Sequence, residues 1–271
     1  VSAPRAERPA GPVLVTGAAG MIGGFIRPAL ERSGRTLRYF DVEPTPVGDP
    51  AVAEAVVGSV EDVDALRSAV KGASAVVHLG GIPKEAPFHA VVAVNIVGTY
   101  NVLEAARLEG ISRVVLASSN HVAGFHPRPR AGAAPMPAAV TPRPDTYYAW
   151  SKAAAEVLGR LYHDRFGMDI VAIRIAQAAQ EPSPDPRGQA MWFSPDDNAA
   201  LIEAALTGPG GYHLVWGVSD NATRGLSLTE AEHLGYRSID DSAAFTPQLR
   251  PDVNDRLGGL FCEIPLGEWR R

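Results

Sequence analysis

The sequence predicts an α/β fold, a doubly wound parallel sheet with helices on both faces and a small C-terminal part packed on the same core. Three observations carry this. Short apolar runs alternate with helix-period stretches from Val13 to Ile175, the rhythm of consecutive β-α-β units. Glycines fall at 17, 20 and 23, where the first apolar run gives way to the first helical stretch. The chain has 271 residues, 46% hydrophobic and 20% charged, enough to enclose one such sheet and a modest addition but not two large domains.

Residues 1–12 are polar and proline-rich without periodicity, and read as a flexible N-terminal arm. The first strand is expected over Val13–Thr16, the first helix over Met21–Glu31 and the second strand over Thr36–Phe40. A third strand precedes Ser59, and a fourth, Ala75–His78, runs into Leu79-Gly80-Gly81. A long helix is expected over Phe88–Glu109, carrying apolar Val92, Ile96, Val97, Leu103 and Ala106, and then a fifth strand over Arg113–Ala117. Pro, Gly and Ala crowd residues 125–145, which suits a surface loop; a lid and a plain insertion are both open readings. A helix over Tyr147–Phe166, a sixth strand over Asp169–Ile175 and a helix over Ser194–Leu206 follow. In the last, Ser194-Pro195-Asp196-Asp197 supplies a hydroxyl N-cap, a first-turn proline and acids at the positive end of the helix dipole. After Gly208 a strand over Tyr212–Trp216, a helix over Ser227–Leu234 and an irregular tail are too little for an independent domain. The expected organisation is the arm, a nucleotide-binding core over 13–175 and a small substrate-binding region over 176–271.

A net charge of -5 and a pI near 5.8 leave no basic surface that would make nucleic acid or an anionic membrane the default partner, so a small-molecule substrate is expected. The single cysteine, Cys262, excludes an internal disulfide framework and a Cys-rich zinc site, and fits a reducing cytoplasm. No apolar run approaches the roughly 20 residues that span a bilayer, and the N-terminus has no signal-peptide core; neither export nor a membrane anchor is expected. The basic residues are 22 Arg against 3 Lys (Lys71, Lys84 and Lys152), a skew that resembles codon bias, weakens arguments from arginine frequency and makes each lysine slightly more informative.

The turn Gly17-Ala-Ala-Gly20-Met21-Ile22-Gly23 has the chemistry a dinucleotide needs. Glycines let the backbone approach a pyrophosphate, and a strand-to-helix junction offers unpaired amides to receive its charge, as in Rossmann-type folds. Asp41 lies at the end of the second strand, 24 positions after Gly17, where a carboxylate accepts hydrogen bonds from both ribose hydroxyls and repels a 2′-phosphate. NAD is therefore expected rather than NADP. Gly80 and Gly81, after the fourth strand, let the cofactor cross the sheet edge closely, whereas His78 reads as a packed strand residue.

Tyr148 and Lys152 stand four residues apart on one helix face. Ser118-Ser119-Asn120-His121 follow the fifth strand, and their polar side chains are expected to face the same crevice. A phenol titrates near pH 10 when free; a lysine cation and a positive nicotinamide beside it would stabilise the phenolate and make it a base. Tyr148 would take an alcohol proton while Ser119 hydrogen-bonds the reacting oxygen. No Gly-x-Ser-x-Gly elbow supports a hydrolytic serine. His121 and His126 are too far apart for a one-turn metal pair, and no metal is expected.

Together Gly17-x-x-Gly20-x-x-Gly23, Asp41, His78-Leu-Gly-Gly81, Asn95-Ile-Val-Gly-Thr99, Ser119 and Tyr148-x-x-x-Lys152 resemble the extended short-chain dehydrogenases/reductases, in family order through two thirds of the chain. Within them the chain is most similar to uronate dehydrogenases, through His78-Leu-Gly-Gly-Ile82, the Asn95–Ala106 and Ser118–Phe125 segments and Trp192-Phe-Ser-Pro-Asp-Asp197. The resemblance implies oxidation of a uronic acid at its anomeric carbon to a lactone, with NAD. It implies Ser119, Tyr148, Lys152 and Asn95 as catalytic residues. For NAD it implies Gly17, Gly20, Met21, Ile22, Gly23, Asp41, Val42, Ser59, Val60, Leu79, Gly80, Gly81, Ala117, Tyr148, Lys152 and Ile175. For the substrate it implies Ser119, Asn120, His121, Tyr148, Gln177 and Arg187, the last receiving the carboxylate. A homodimer or higher homo-oligomer, paired through the long helix and the Tyr148 helix, is also implied.

The sequence departs from that pattern at several points. Pro83 stands in place of a small hydroxyl residue, Gln177-Ala178 in place of Ser-Cys, Trp150 in place of glycine and Ser59 in place of an acid. Several of these positions are expected to line the substrate pocket, which keeps open a ketone reductase or epimerase of a specialised biosynthetic pathway. A non-catalytic NAD sensor would have no need of Ser119, Tyr148 and Lys152 together.

Overall fold

The structure is a computed structural model that describes residues 11–129, 132–245 and 248–269. Of the expected N-terminal arm, residues 1–10 lie outside the described residues. β1 (Val13–Thr16) leads through the glycine turn into α1 (Met21–Arg32), followed by β2 (Leu37–Asp41), β3 (Ala53–Val57), α2 (Val63–Val70) and β4 (Ala75–His78). α3 (Phe88–Val91) passes through a π-helical turn over Val92–Val97 into α4 (Gly98–Leu108), and β5 (Arg113–Ser119) returns to the sheet. Then come α5 (Tyr147–Phe166), β6 (Asp169–Ile175), the short β7 (Gln177–Ala178), α6 (Pro186–Met191), β8 (Trp192–Phe193), α7 (Pro195–Thr207), β9 (Tyr212–Gly217) and α8 (Thr229–His233).

Among the described residues seven strands form one sheet in the order β3-β2-β1-β4-β5-β6-β9, every pair parallel. A parallel sheet must be covered on both faces, and strand alternation divides the apolar residues accordingly. Val13, Val15, Val115 and Ile173 face one way and meet Ile26 and Leu30 of α1 and Leu201 and Ala205 of α7. Leu14, Val76, Leu116 and Ile170 face the other and meet Leu66 of α2, Leu103 of α4 and Tyr162 of α5. Each fully buried aliphatic side chain contributes about 1.5–3 kcal/mol. The order of strands reverses between β1 and β4, so a crevice opens where those two strands end.

Local signals explain the helix ends. The Thr146 hydroxyl accepts from Ala149 N at 3.1 Å to start α5, which stops at Gly167 in the left-handed region. Ser194 Oγ accepts from Asp197 N at 3.0 Å to start α7. Asp197 does more than favour the dipole: its fully buried carboxylate accepts from Ser238 Oγ and Ile239 N, tying the C-terminal part to α7.

Three expectations change. The helix expected over 88–109 is interrupted by the π-helical turn, because one extra residue per turn swings Asn95 inward to bond Ile82 and Ser151. The strand assigned to the C-terminal part is the seventh strand of the main sheet, pairing with β6 from Tyr212 to Gly217. The surface loop over 125–145 is anchored through much of its length. A buried ion pair, Arg174 with Glu156, donates from Arg174 Nη1 to Ala138 O at 2.8 Å and Val140 O at 3.2 Å, and Trp216 Nε1 donates to Met136 O at 3.0 Å. No described helix is long and apolar enough to cross a membrane.

Candidate active site

The site gathers at the carboxyl ends of β1, β4, β5 and β6. The turn after β1 is tight enough to demand glycine twice. Gly17 has φ +70°, and a Cβ there would sit 2.5 Å from Gly80 N; a Cβ on Gly23 would overlap the carbonyl of Ala18. α1 begins at Gly20 with no side-chain cap, leaving its first amides facing the crevice. Asp41 closes the end of β2: its carboxylate accepts from Ala19 N at 2.8 Å and Glu43 N at 3.2 Å. Met21 and Val42 are exposed at the crevice rim, and Ile22, Ser59, Leu79 and Ala117 are half-buried, whereas Val60 and Ile175 are buried. Ser59 Oγ accepts from Glu61 N at 3.1 Å, and Val60 O accepts from Asn101 Nδ2 at 2.9 Å.

α5 brings Tyr148 and Lys152, 8% and 9% exposed, into this crevice. The Ser119 hydroxyl lies close enough to the phenol to favour its charged form, and Lys152 Nζ lies 5.9 Å from the centre of the Tyr148 ring. Burial pushes the phenol up to about 12, against the Ser119 hydrogen bond and with the help of the Asp145 charge. Burial also pushes the Lys152 ammonium down to about 8. The expected lowering of the phenol by Lys152 is therefore not what the protein alone does. Desolvation of a group with no opposite charge beside it outweighs the more distant cation. The ammonium has no hydrogen-bond acceptor among the described residues. It lies 3.7 Å from where a Cβ on Gly81 would be, so glycine keeps open the space in front of it.

Asn95, 3% exposed, is an organising residue: Oδ1 accepts from Ile82 N at 2.7 Å, and Nδ2 donates to Ile82 O at 3.1 Å and Ser151 Oγ at 2.9 Å. It links the chain after Gly81 to the helix that carries Tyr148 and Lys152. His78 is packed between Thr16 and Thr99, and burial first, with the Lys152 charge second, pushes its imidazole down to about 3.

Ser118 does not face the crevice. Strand alternation turns it to the opposite side, where its hydroxyl donates to Glu156 Oε1 at 2.5 Å. Asn120 is buried with Nδ2 donating to Leu257 O at 3.2 Å. His121 Nδ1 lies 2.7 Å from Asp145 Oδ2, and the ring stacks on Phe261 with centroids 4.2 Å apart. Gln177 lies on β7, two residues beyond the Ile175 that pairs with Ser119. Its Nε2 donates to Ser183 Oγ, and its buried Oε1 has no partner among the described residues. Trp150 is partly exposed and stacks on Phe88 of α3, with ring centroids 5.5 Å apart.

Arg187, on α6, donates from Nε to Leu257 O at 2.8 Å. Its terminal nitrogens Nη1 and Nη2 have no acceptor among the described residues, and burial pushes the guanidinium below its ordinary value. The turn at Gly258 and Gly259 passes between Asp145 and Arg187; a Cβ on Gly259 would lie 2.9 Å from Arg187 Cδ. Among the described residues no cluster of His, Cys, Asp and Glu is placed to hold a metal ion.

The motifs missed four residues. Asp145 and Phe261 hold His121, Leu257 O receives Asn120 and Arg187, and Glu85, fully buried, accepts from Tyr148 N at 3.0 Å and Gly267 N at 2.8 Å. Only Asp145 left a trace in sequence, as an acid just before the start of a helix; the others act through backbone groups or contacts distant in the chain.

The profile of the NAD dependent epimerase/dehydratase family matches residues 13–193. A uronate dehydrogenase of Agrobacterium fabrum is 38% identical over 264 residues, covering 94% of this chain and 97% of that protein. An NAD-dependent glucose-6-phosphate dehydrogenase of Haloferax volcanii is 36% identical over 259 residues, covering 89% of this chain and 97% of its own length. A crystal structure of uronate dehydrogenase from Agrobacterium tumefaciens, a mutant complexed with NAD, superposes with a TM-score of 0.86 at 36% identity, covering 96% of this chain and 99% of that one.

Proposed function

Because the chain belongs to the NAD dependent epimerase/dehydratase family, we propose that it is an NAD-dependent dehydrogenase that oxidises the anomeric hydroxyl of a uronic acid to the lactone. The residues present fit the cofactor. Gly17 packs so closely on Gly80 that a side chain at 17 would collide with the Gly80 backbone, α1 starts with uncapped amides, and the Lys152 ammonium lacks an acceptor among the described residues. Gly17, Gly20, Met21, Ile22 and Gly23 would hold the pyrophosphate, and Asp41 with Val42, Ser59 and Val60 the adenosine end. Leu79, Gly80, Gly81, Ala117, Ile175, Tyr148 and Lys152 would border the nicotinamide ribose. When bound, NAD supplies the hydride acceptor and a positive ring beside the phenol.

Tyr148 takes the proton of the anomeric hydroxyl, and Ser119 holds the same oxygen by a hydrogen bond. Lys152 lies beside the phenol ring with an ammonium that has no acceptor among the described residues, and Asn95 keeps α5 in register with the chain after Gly81. On the substrate side, residues 176–271 contribute Gln177 and Arg187, beside Asn120 and His121 from the end of β5.

The observation that carries the acid substrate is the Arg187 fork. The guanidinium already feels the charges of Asp185, Asp145 and Asp252, but its two terminal nitrogens have no hydrogen-bond acceptor among the described residues, which leaves a fork that a carboxylate pairs bidentately. The test follows reduced-cofactor absorbance with galacturonate, glucuronate, glucose 6-phosphate and neutral aldoses. Uronates should turn over best, Tyr148→Phe should lose at least about a hundredfold in kcat, and Arg187→Ala should raise KM for uronates far more than for neutral sugars. A phosphate sugar preferred over every uronate, or equal effects of Arg187→Ala on acids and neutral sugars, would overturn the reading.

The apolar outer face of α4 and α5 suits pairing with a second copy about a two-fold axis, and a reducing cytoplasm suits the single thiol.

A further inference from the structure

Asp145 belongs to none of the motifs, yet it is firmly built into the site. Its side chain is 0% exposed. Thr146 Oγ1 donates to Oδ1 at 3.0 Å, and a Cβ on either Gly124 or Gly258 would overlap Oδ2. The carboxylate therefore has one position, and His121 Nδ1 meets it at 2.7 Å. Carboxylate oxygens accept, so Nδ1 is the ring nitrogen that carries the proton. Phe261 stacks on the imidazole at 4.2 Å with planes 29° apart and prevents the ring from swinging away. The other nitrogen, Nε2, has no partner among the described residues, in a ring whose centre is 6.3 Å from that of Tyr148.

We propose that Asp145 is a positioning residue that holds His121 as the Nδ1–H tautomer, so that Nε2 meets the substrate as an acceptor and selects a donating ring hydroxyl. The proposal rests on reading this crevice as the sugar-oxidising site. An acceptor backed by a carboxylate repels the acid group of a uronate, which the free Arg187 fork attracts. The two residues together orient the sugar: acid toward Arg187, one ring hydroxyl toward His121. Free imidazole mostly carries its proton on Nε2, so the tautomer is a direct signature of Asp145.

Ring ¹⁵N shifts of histidine-labelled, NAD-saturated protein at pH 8 read that signature without turnover, with His121→Phe supplying the assignment. The expected result is a protonated Nδ1 and a bare Nε2, reversed in Asp145→Asn, whose amide can present its NH₂ to Nδ1. A wild-type ring protonated on Nε2 overturns the proposal whatever the substrate. In steady state, one of the 2-, 3- and 4-deoxyfluoro galacturonates should show a KM about tenfold above that of the parent sugar. That difference should vanish in His121→Phe. Equal KM values for all analogues with the wild type overturn the claim on the hydroxyl. An Nδ1–H ring in a protein that oxidises no uronate supports the tautomer and sinks the uronate reading instead.

Discussion

At the scale of single residues the site stores energy against its own fold. Lys152 is held at about 8 rather than 10.5 by burial, so between those values the unfolded chain binds more protons and stability rises with pH. Below pH 8 the whole cost is present, on the order of 3 kcal/mol. Tyr148 has the opposite sign: raised to about 12, it contributes stability that is present below pH 10 and lost as pH climbs through 12. Lys152→Met keeps the stem and removes the charge. Its thermal midpoint should lie above that of the wild type at pH 7, with the gain shrinking toward pH 10, while kcat falls at least about a hundredfold. Calorimetry across that pH range checks the first part; a midpoint unchanged or lowered at pH 7 would show that the ammonium is not strained. The same pair shows what sequence conveys at this scale. Spacing placed Tyr148 and Lys152 on one face of a helix, but whether charge or burial wins depends on how much protein surrounds them, which no local pattern encodes.

Among the elements, the β-α-β rhythm was legible because a buried parallel strand needs a continuous apolar run and a covering helix needs a 3.6-residue stripe. The π-helical turn was not. It keeps the apolar pattern on both sides and differs only in which carbonyl each amide finds, so Asn95 turns inward without altering the periodicity. Ser118 and Ser119 make the same point in a strand: adjacent in sequence and alike in chemistry, they face opposite sides of β5 because the pleat alternates. α5 bears a third feature, an outer face that the core does not use. Val157 is 68% and Leu161 54% exposed, and they border a groove of about 720 Å³ shared with Ile96 and Trp150. A second copy would bury that face. The wild type should therefore run as a dimer or larger in light scattering, and Val157→Asp with Leu161→Asp should reduce it to a monomer. A monomeric wild type at micromolar concentration would leave the face without its proposed occupant.

On the scale of the whole molecule, the proposed cofactor side and the proposed substrate side draw on different parts of the chain, and the last part holds more than its irregular sequence suggests. The proposed cradle around Gly17, Asp41 and Gly80 is in place just after β4, and Tyr148 and Lys152 of α5 would add the contacts to the nicotinamide ribose. The proposed substrate side draws on residues some 140 positions beyond His121: Phe261 stacks on that ring, Cys262 Sγ donates to Gly124 O at 3.3 Å, and Gly267 N donates to the Glu85 carboxylate that also holds the start of α5. Glycines and single backbone contacts carry no periodicity, which is why this segment read only as a tail. A chain ended after Gly258 keeps Leu257, its core packing and its carbonyl for Asn120 and Arg187, and removes Phe261 and Gly267. NAD affinity measured by titration calorimetry should then fall by less than about tenfold, since only the contacts of Tyr148 and Lys152 depend on the start of α5, whereas KM for the uronate should rise by more than NAD affinity falls, at least about tenfold, as His121 loses its stacking partner. Equal loss of both affinities would mean that the last residues support the fold as a whole rather than the substrate side. Loss of neither would mean that His121 is held by Asp145 alone.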